Sequence, residues 1–71
     1  MKHLNNMKGF NWVSEVNNIH NLTKVSIGRE SFWIRECVKK GDIWEGIVDN
    51  DLVFTYEHNL KYNDVVSFKE E

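Results

Sequence analysis

The sequence predicts a mainly β fold, a small and partly open antiparallel barrel with a short N-terminal helix. Three observations lead there. Runs rich in β-branched and aromatic residues recur at Leu22–Ile27, Ser31–Val38, Ile43–Val48, Leu52–Tyr56 and Val65–Phe68. The connectors are short and polar: Gly28-Arg29-Glu30, Lys39-Lys40-Gly41-Asp42 and Asp49-Asn50-Asp51. Finally, both faces of Ile43–Val48 carry apolar groups, the pattern of a sheet that curls on itself beneath some outer cover.

Taken in order, residues 1–8 are Asn- and Lys-rich and are expected to fray. The next stretch has two readings. As a helix capped by Asn11, it groups Trp12, Val16 and Ile19 on one face; as a strand, Phe10, Trp12 and Val16 alternate until Val13 and Ser14 break the pattern. The helix over 11–19 is the preferred reading. From Leu22 to Ile27, Val25 and Ile27 face one way and Lys24 and Ser26 the other. In Ser31–Val38, alternation puts Phe32, Ile34 and Val38 on one side and Trp33, Arg35 and Cys37 on the other, with Glu36 misplaced among the apolar set. Gly46, in mid-strand, signals a bulge or sharp bend. Asn50-Asp51 reads as a hairpin turn into a fourth strand with Leu52, Phe54 and Tyr56 on one face. A corner at Leu60–Asp64 leads to the closing strand Val65–Phe68.

At 71 residues the chain has room for one domain, residues 1–71, with the barrel over 22–69. A domain this small buries only about 60% of its unfolded surface, so its staples must be bulky. Trp12, Trp33, Trp44 and the Phe and Tyr residues are the candidates. Cys37 is the single cysteine, which suits a reducing cytoplasm, and no apolar run reaches the roughly 18 residues of a membrane span. The formal net charge is −2. It is unevenly spread: residues 31–71 carry five basic and nine acidic side chains, the reverse of an electrostatic nucleic-acid binder.

The runs Phe32-Trp33-Ile34-Arg35, Trp44-Glu45-Gly46-Ile47-Val48-Asp49-Asn50 and Leu60-Lys61-Tyr62-Asn63-Asp64-Val65-Val66-Ser67-Phe68 carry a family likeness. Over residues 24–69 the chain resembles the small bacterial YegJ-like domains of unknown function. Their pattern is Trp-Val-x-Val, then Gly-x-hydrophobic-x-Asn, then hydrophobic-Lys-x-Gly-Asp-x-Val-x-Phe. The resemblance implies an SH3-like barrel and brings no catalytic residue with it. Asn63 stands where the pattern has Gly, and Asn is the usual substitute where a positive φ is required.

No catalytic group, metal site or cofactor is expected. His3, His20, His58 and Cys37 lack zinc-ligand spacing, and nothing in the sequence spacing assembles Cys37, His58 and Asp64 as a triad. Trp33, Arg35 and Trp44 are the candidate binding patch, since exposed Trp and Arg dominate interface hot spots. Tyr56 adds a further aromatic, and the acidic turn residues Asp49 and Asp51 would steer a basic partner surface. The competing reading is that the N-terminal helix covers this patch. The expected function is a non-enzymatic protein-binding module, a bacterial or phage accessory, inhibitor or immunity-type factor acting by surface occlusion. The alternative is a nucleic-acid-binding small barrel using Lys39, Lys40, Lys61 and Lys69 with Tyr56 and Tyr62. A homodimer through an exposed edge strand is a further possibility.

Overall fold

The computed structural model describes residues 1–14 and 21–69. Within them, six strands form one mixed sheet in the order β1-β6-β5-β4-β3-β2, curled into a half-barrel. The strands are β1 (Lys2–His3), β2 (Phe10–Trp12), β3 (Thr23–Ile27), β4 (Glu30–Lys40), β5 (Ile43–Val48) and β6 (Val65–Phe68). Strands β2 to β6 make an antiparallel meander, whereas β1 joins β6 in parallel. The mainly β expectation holds, but the sheet is mixed rather than wholly antiparallel. Among the described residues, no helix is long and apolar enough to cross a membrane.

The N-terminus is where the sequence reading departs most from the structure. Residues 1–8, expected to fray, supply one edge of the sheet, and the stretch read as the start of a helix supplies the other. Lys2 and His3 pair with Val66 and Ser67, a 3-10 turn at Leu4–Asn6 touches both β2 and β6, and Phe10–Trp12 pairs with β3. Leu4 is fully buried, which contributes roughly 1.5–3 kcal/mol and ties the segment down. Asn5 fastens it again: its side chain accepts from the Lys69 N–H at 2.7 Å and donates to the Lys69 carbonyl at 3.1 Å.

Phe10–Trp12 is a strand, not the start of a helix. Gly9, at φ +82°, turns the chain so closely against Gly28 that a Cβ would sit 3.0 Å from the Gly28 nitrogen. The Gly28 N–H donates to the Gly9 carbonyl at 3.0 Å, and the N–H groups of Val13 and Ser14 both reach the Lys24 carbonyl. With its backbone groups satisfied by β3, the segment has no use for a helix. The remainder of the expected helix, 15–19, lies outside the described residues.

In β4 the predicted alternation is correct as far as Arg35. Glu36 then takes φ +54° and the register against β5 slips between Arg35 and Val38. That bulge exchanges the faces of everything after it. Cys37 is therefore buried and Val38 is 54% exposed, the opposite of the expectation. The glycine read as a bend signal lies across from this bulge: a Cβ on Gly46 would overlap Ile34 Cγ2 and come within 3.1 Å of Cys37 Sγ.

The fourth strand expected at Leu52–Tyr56, with its hairpin turn at Asn50-Asp51, does not form. The chain does run back beside the start of β4, held by a single backbone bond and then by side chains rather than by a ladder. The Asp49 N–H donates to the Trp33 carbonyl at 2.9 Å, and Asn50 Oδ1 accepts from the Trp33 N–H at 2.6 Å. Glu30 then takes the N–H groups of Val53 and Phe54. A one-turn helix, α1 (Thr55–His58), follows and ends at Asn59 with φ +61°. Asn63 adopts φ +70° and donates its N–H to the Val48 carbonyl, as expected of an Asn standing in for Gly. The core is Leu4, Val25, Ile27, Phe32, Ile34, Cys37, Val48, Leu60, Val66 and Phe68.

Candidate functional site

The predicted binding residues divide between two faces. Trp33 and Arg35 point away from the core, because Phe32 and Ile34 beside them are buried. Trp33 stays 39% exposed, with Lys24 Nζ 5.6 Å from its ring. Trp44 does not join them. It belongs with Gly46 and Val48 on the inner face, opposite Lys39 and Phe68, and packs half-buried against the core. The expected Trp-Arg-Trp patch is therefore not assembled; two-residue alternation counted back from the fully buried Val48 explains why.

Arg35 is held from several directions. Its Nη1 donates to the Val48 carbonyl and to Asp49 Oδ1, both at 3.2 Å. Nη2 donates to Asn63 Oδ1 at 2.7 Å, Nε to Glu36 at 3.2 Å, and the guanidinium lies 5.7 Å from the Tyr62 ring centroid. Arg35 and Asp49 thus bind each other, fixing two loops against the sheet. Asp51, two residues on, is exposed. Tyr56, in α1, is 77% exposed and Val53 73%.

What holds that segment is a pair of adjacent residues the sequence reading placed in a turn. Arg29 reaches over it from outside: the guanidinium carbon is 3.9 Å from the Phe54 ring centroid, Nη2 donates to the Tyr56 hydroxyl at 2.8 Å, and Nε and Nη2 reach both Glu57 oxygens. Glu30 reaches beneath it. Its carboxylate is 7% exposed and accepts from Val53 N–H at 2.6 Å and Phe54 N–H at 3.0 Å. It also lies 2.6 Å from His58 Nε2. His58 Nδ1 accepts from the Leu60 N–H at 3.0 Å, so the hydrogen-bond pattern assigns the ring proton to Nε2, facing Glu30.

Burial pushes the Glu30 carboxyl towards its neutral form, but the His58 bond and the two backbone N–H bonds outweigh it and hold the group below the ordinary carboxylate value. Both ring nitrogens of His58 are engaged and its side chain is only 4% exposed. The pair is a pin for the 53–60 segment. A signal for it was present: Glu30 stands in the same two-residue phase as Phe32 and Ile34, on the core side of β4.

The remaining candidate groups go to separate partners. Cys37 is buried, its thiol pushed up to about 11 by loss of solvent, and Sγ faces the Ile34 carbonyl. Asp64 caps the Lys61 N–H and pairs with Lys2 at 3.7 Å. The Cys37, His58 and Asp64 grouping is thus not brought together. Among the described residues, no cluster of His, Cys, Asp and Glu is placed to hold a metal ion. Of the lysines considered for nucleic acid, Lys40 pairs with Glu45 at 2.9 Å and Lys39 lies 5.9 Å from the Trp44 ring. The outer face of β4, β5 and β6 also carries a depression of about 220 Å³.

No protein-family model, curated protein or solved structure matches this chain.

Proposed function

We propose that this chain is a non-enzymatic protein-binding module whose contact surface is built from Trp33, Val53 and Tyr56. One observation carries the reading: two large, well-exposed side chains, Val53 and Tyr56, sit on a segment pinned from below by Glu30 and clamped from above by Arg29. Exposed apolar groups on a mobile loop would lose entropy on binding. On a locked segment much of that cost falls on folding instead, which is the basis of preorganised recognition. Trp, Tyr and Arg are also the side chains most enriched among hot spots. Of the acids near it, Asp49 is paired with Arg35 and Glu57 with Arg29, which leaves the exposed Asp51 to favour a basic partner and steer its approach.

In this reading the module acts by occlusion, covering a partner's working surface as an inhibitor or immunity-type accessory in a bacterial or phage setting. The half-barrel is then SH3-like, a meander closed by its N-terminal segment. Asn63 in the left-handed region supports the YegJ-like resemblance at the position where that pattern has Gly.

The test compares capture from cell lysate by the wild-type chain and by Val53→Asp and Tyr56→Ala, with nuclease treatment in parallel. Val53 is exposed and its variant should melt like wild type, while Tyr56→Ala also gives up the exposed Arg29 bond and should cost at most ~1 kcal/mol. A stoichiometric, nuclease-resistant protein retained by wild type and weakened at least about 30-fold by either variant is the expected result, the size of a hot-spot loss of ~2 kcal/mol. Equal capture by all three chains would overturn the assigned surface. Capture abolished by nuclease would replace the protein partner with nucleic acid.

A further inference from the structure

We infer that Glu30 and His58 form a proton-operated latch: acid frees the 53–58 segment while the half-barrel stays folded. The segment is hung between two anchors. On one side Asp49 and Asn50 are bonded to the Trp33 backbone; on the other Leu60 is fully buried. Between them the chain adds no strand to the sheet, and α1 buries no residue. Its described hydrogen bonds to β4 from beneath all end on Glu30, from Val53 N–H, Phe54 N–H and the His58 ring. From outside, Arg29 grips Tyr56 and Glu57, but an ion pair whose side chains are 58% and 42% exposed contributes little.

The latch has no place for another proton. One proton lies between the two groups, on His58 Nε2, and both Glu30 oxygens and His58 Nδ1 already accept bonds. A proton added to Glu30 turns an acceptor oxygen into a donor facing N–H groups, at a buried site. Added to His58 instead, it must occupy Nδ1 and displace the Leu60 N–H. Either way a buried bond is lost. Among the described residues, the neighbours on β3 and β4 bring no compensating charge: Ile27 pairs opposite Glu30, and Phe32 lies 6.4 Å from the His58 ring. Arg29 and Glu57 pair outside, Asp51 is exposed, and acid weakens the Arg29–Glu57 pair in the same direction. Glu30 binds its proton less readily in the fold than at its ordinary value of 4.5, so the latch is fully closed above that pH and opens below it. Opening takes the rigid frame away from Val53 and Tyr56; that consequence for binding rests on the contact surface proposed above, whereas the latch itself does not.

Native-state amide exchange followed by NMR on the wild-type chain, from neutral pH into acid, tests the inference without any partner. The Val53 and Phe54 amides should lose protection as the pH falls below the ordinary Glu30 value, while the amides of the β3–β4 ladder stay protected. Glu30→Gln should lower the protection of Val53 and Phe54 by about 30-fold or more at neutral pH, with the ladder still protected and little further loss in acid. Val53 and Phe54 amides that keep their protection through the acid range overturn the latch. So do amides that lose it only together with the ladder, because the segment then opens by global unfolding alone. The captured partner's affinity, measured at an acid pH where exchange shows the segment open, tests the other reading: unchanged affinity there would overturn the contact surface and leave the latch standing, so the two proposals fail separately.

Discussion

Replacing Glu30 by glutamine changes the volume of the side chain very little and its hydrogen bonding a great deal. Three donors converge on the carboxylate: Val53 N–H on Oε2, and Phe54 N–H and the His58 ring on Oε1. A glutamine offers one oxygen. If that oxygen takes the Oε1 place, its NH2 faces the Val53 N–H, donor against donor, at a site only 7% exposed. If it turns round, two donors lose their acceptor. An orphaned buried donor costs about 1–3 kcal/mol, and the surviving bonds lose the extra strength of a charged acceptor. The sum is about 2–4 kcal/mol, against a total of roughly 5–15 kcal/mol for a typical domain. In a chain of this length it corresponds to a fall in Tm of about 10 °C or more.

The assay is thermal and urea unfolding followed by tryptophan fluorescence, at neutral pH and through the acid range. Glu30 binds its proton less readily in the fold than in the unfolded chain, whose ordinary value is near 4.5. Its contribution is therefore complete above that pH and is lost as pH falls through the lower, folded value. Wild type and Glu30→Gln should differ most at neutral pH and converge in acid. A Tm difference below about 2 °C at neutral pH would refute the pin, and so would a gap that stays constant as the pH falls.

Two further substitutions test the frame around it. Leu4→Ala should cost about 2–5 kcal/mol in urea unfolding, because Leu4 is wholly buried; a loss under ~0.5 kcal/mol would return the N-terminus to the frayed state its composition suggested. Gly46→Ala should cost about 1–3 kcal/mol, even after the ~0.4–1 kcal/mol gained by stiffening the unfolded chain, since the methyl overlaps Ile34 and approaches the Arg35 carbonyl at 3.0 Å. A neutral or stabilised alanine variant would mean that β4 and β5 have slack at the bulge.

The local chemistry of the chain determined its class. Two-residue alternation and β-branched content were enough to place β3, the first half of β4, β5 and β6. The outward direction of Trp33 and Arg35 followed from Phe32 and Ile34, whereas the left-handed corner at Asn63 was expected only from the resemblance, whose pattern has Gly at that position. Only the tertiary structure decided the rest, because each missed feature depends on a partner distant in sequence. Leu4 is ordered by β6, more than sixty residues away, and nothing in an Asn-rich N-terminus announces such a neighbour. Phe10–Trp12 is a strand because β3 offers it a ladder. Glu36 enters the left-handed region without a glycine to mark it, so Cys37 and Val38 change places. Leu52–Tyr56 reads as a strand by propensity, yet a buried carboxylate on β4 takes two of the N–H groups that a ladder would have used. Side-chain patterning acts between neighbours and is legible in one dimension; the satisfaction of backbone donors by remote groups is settled only when the chain closes.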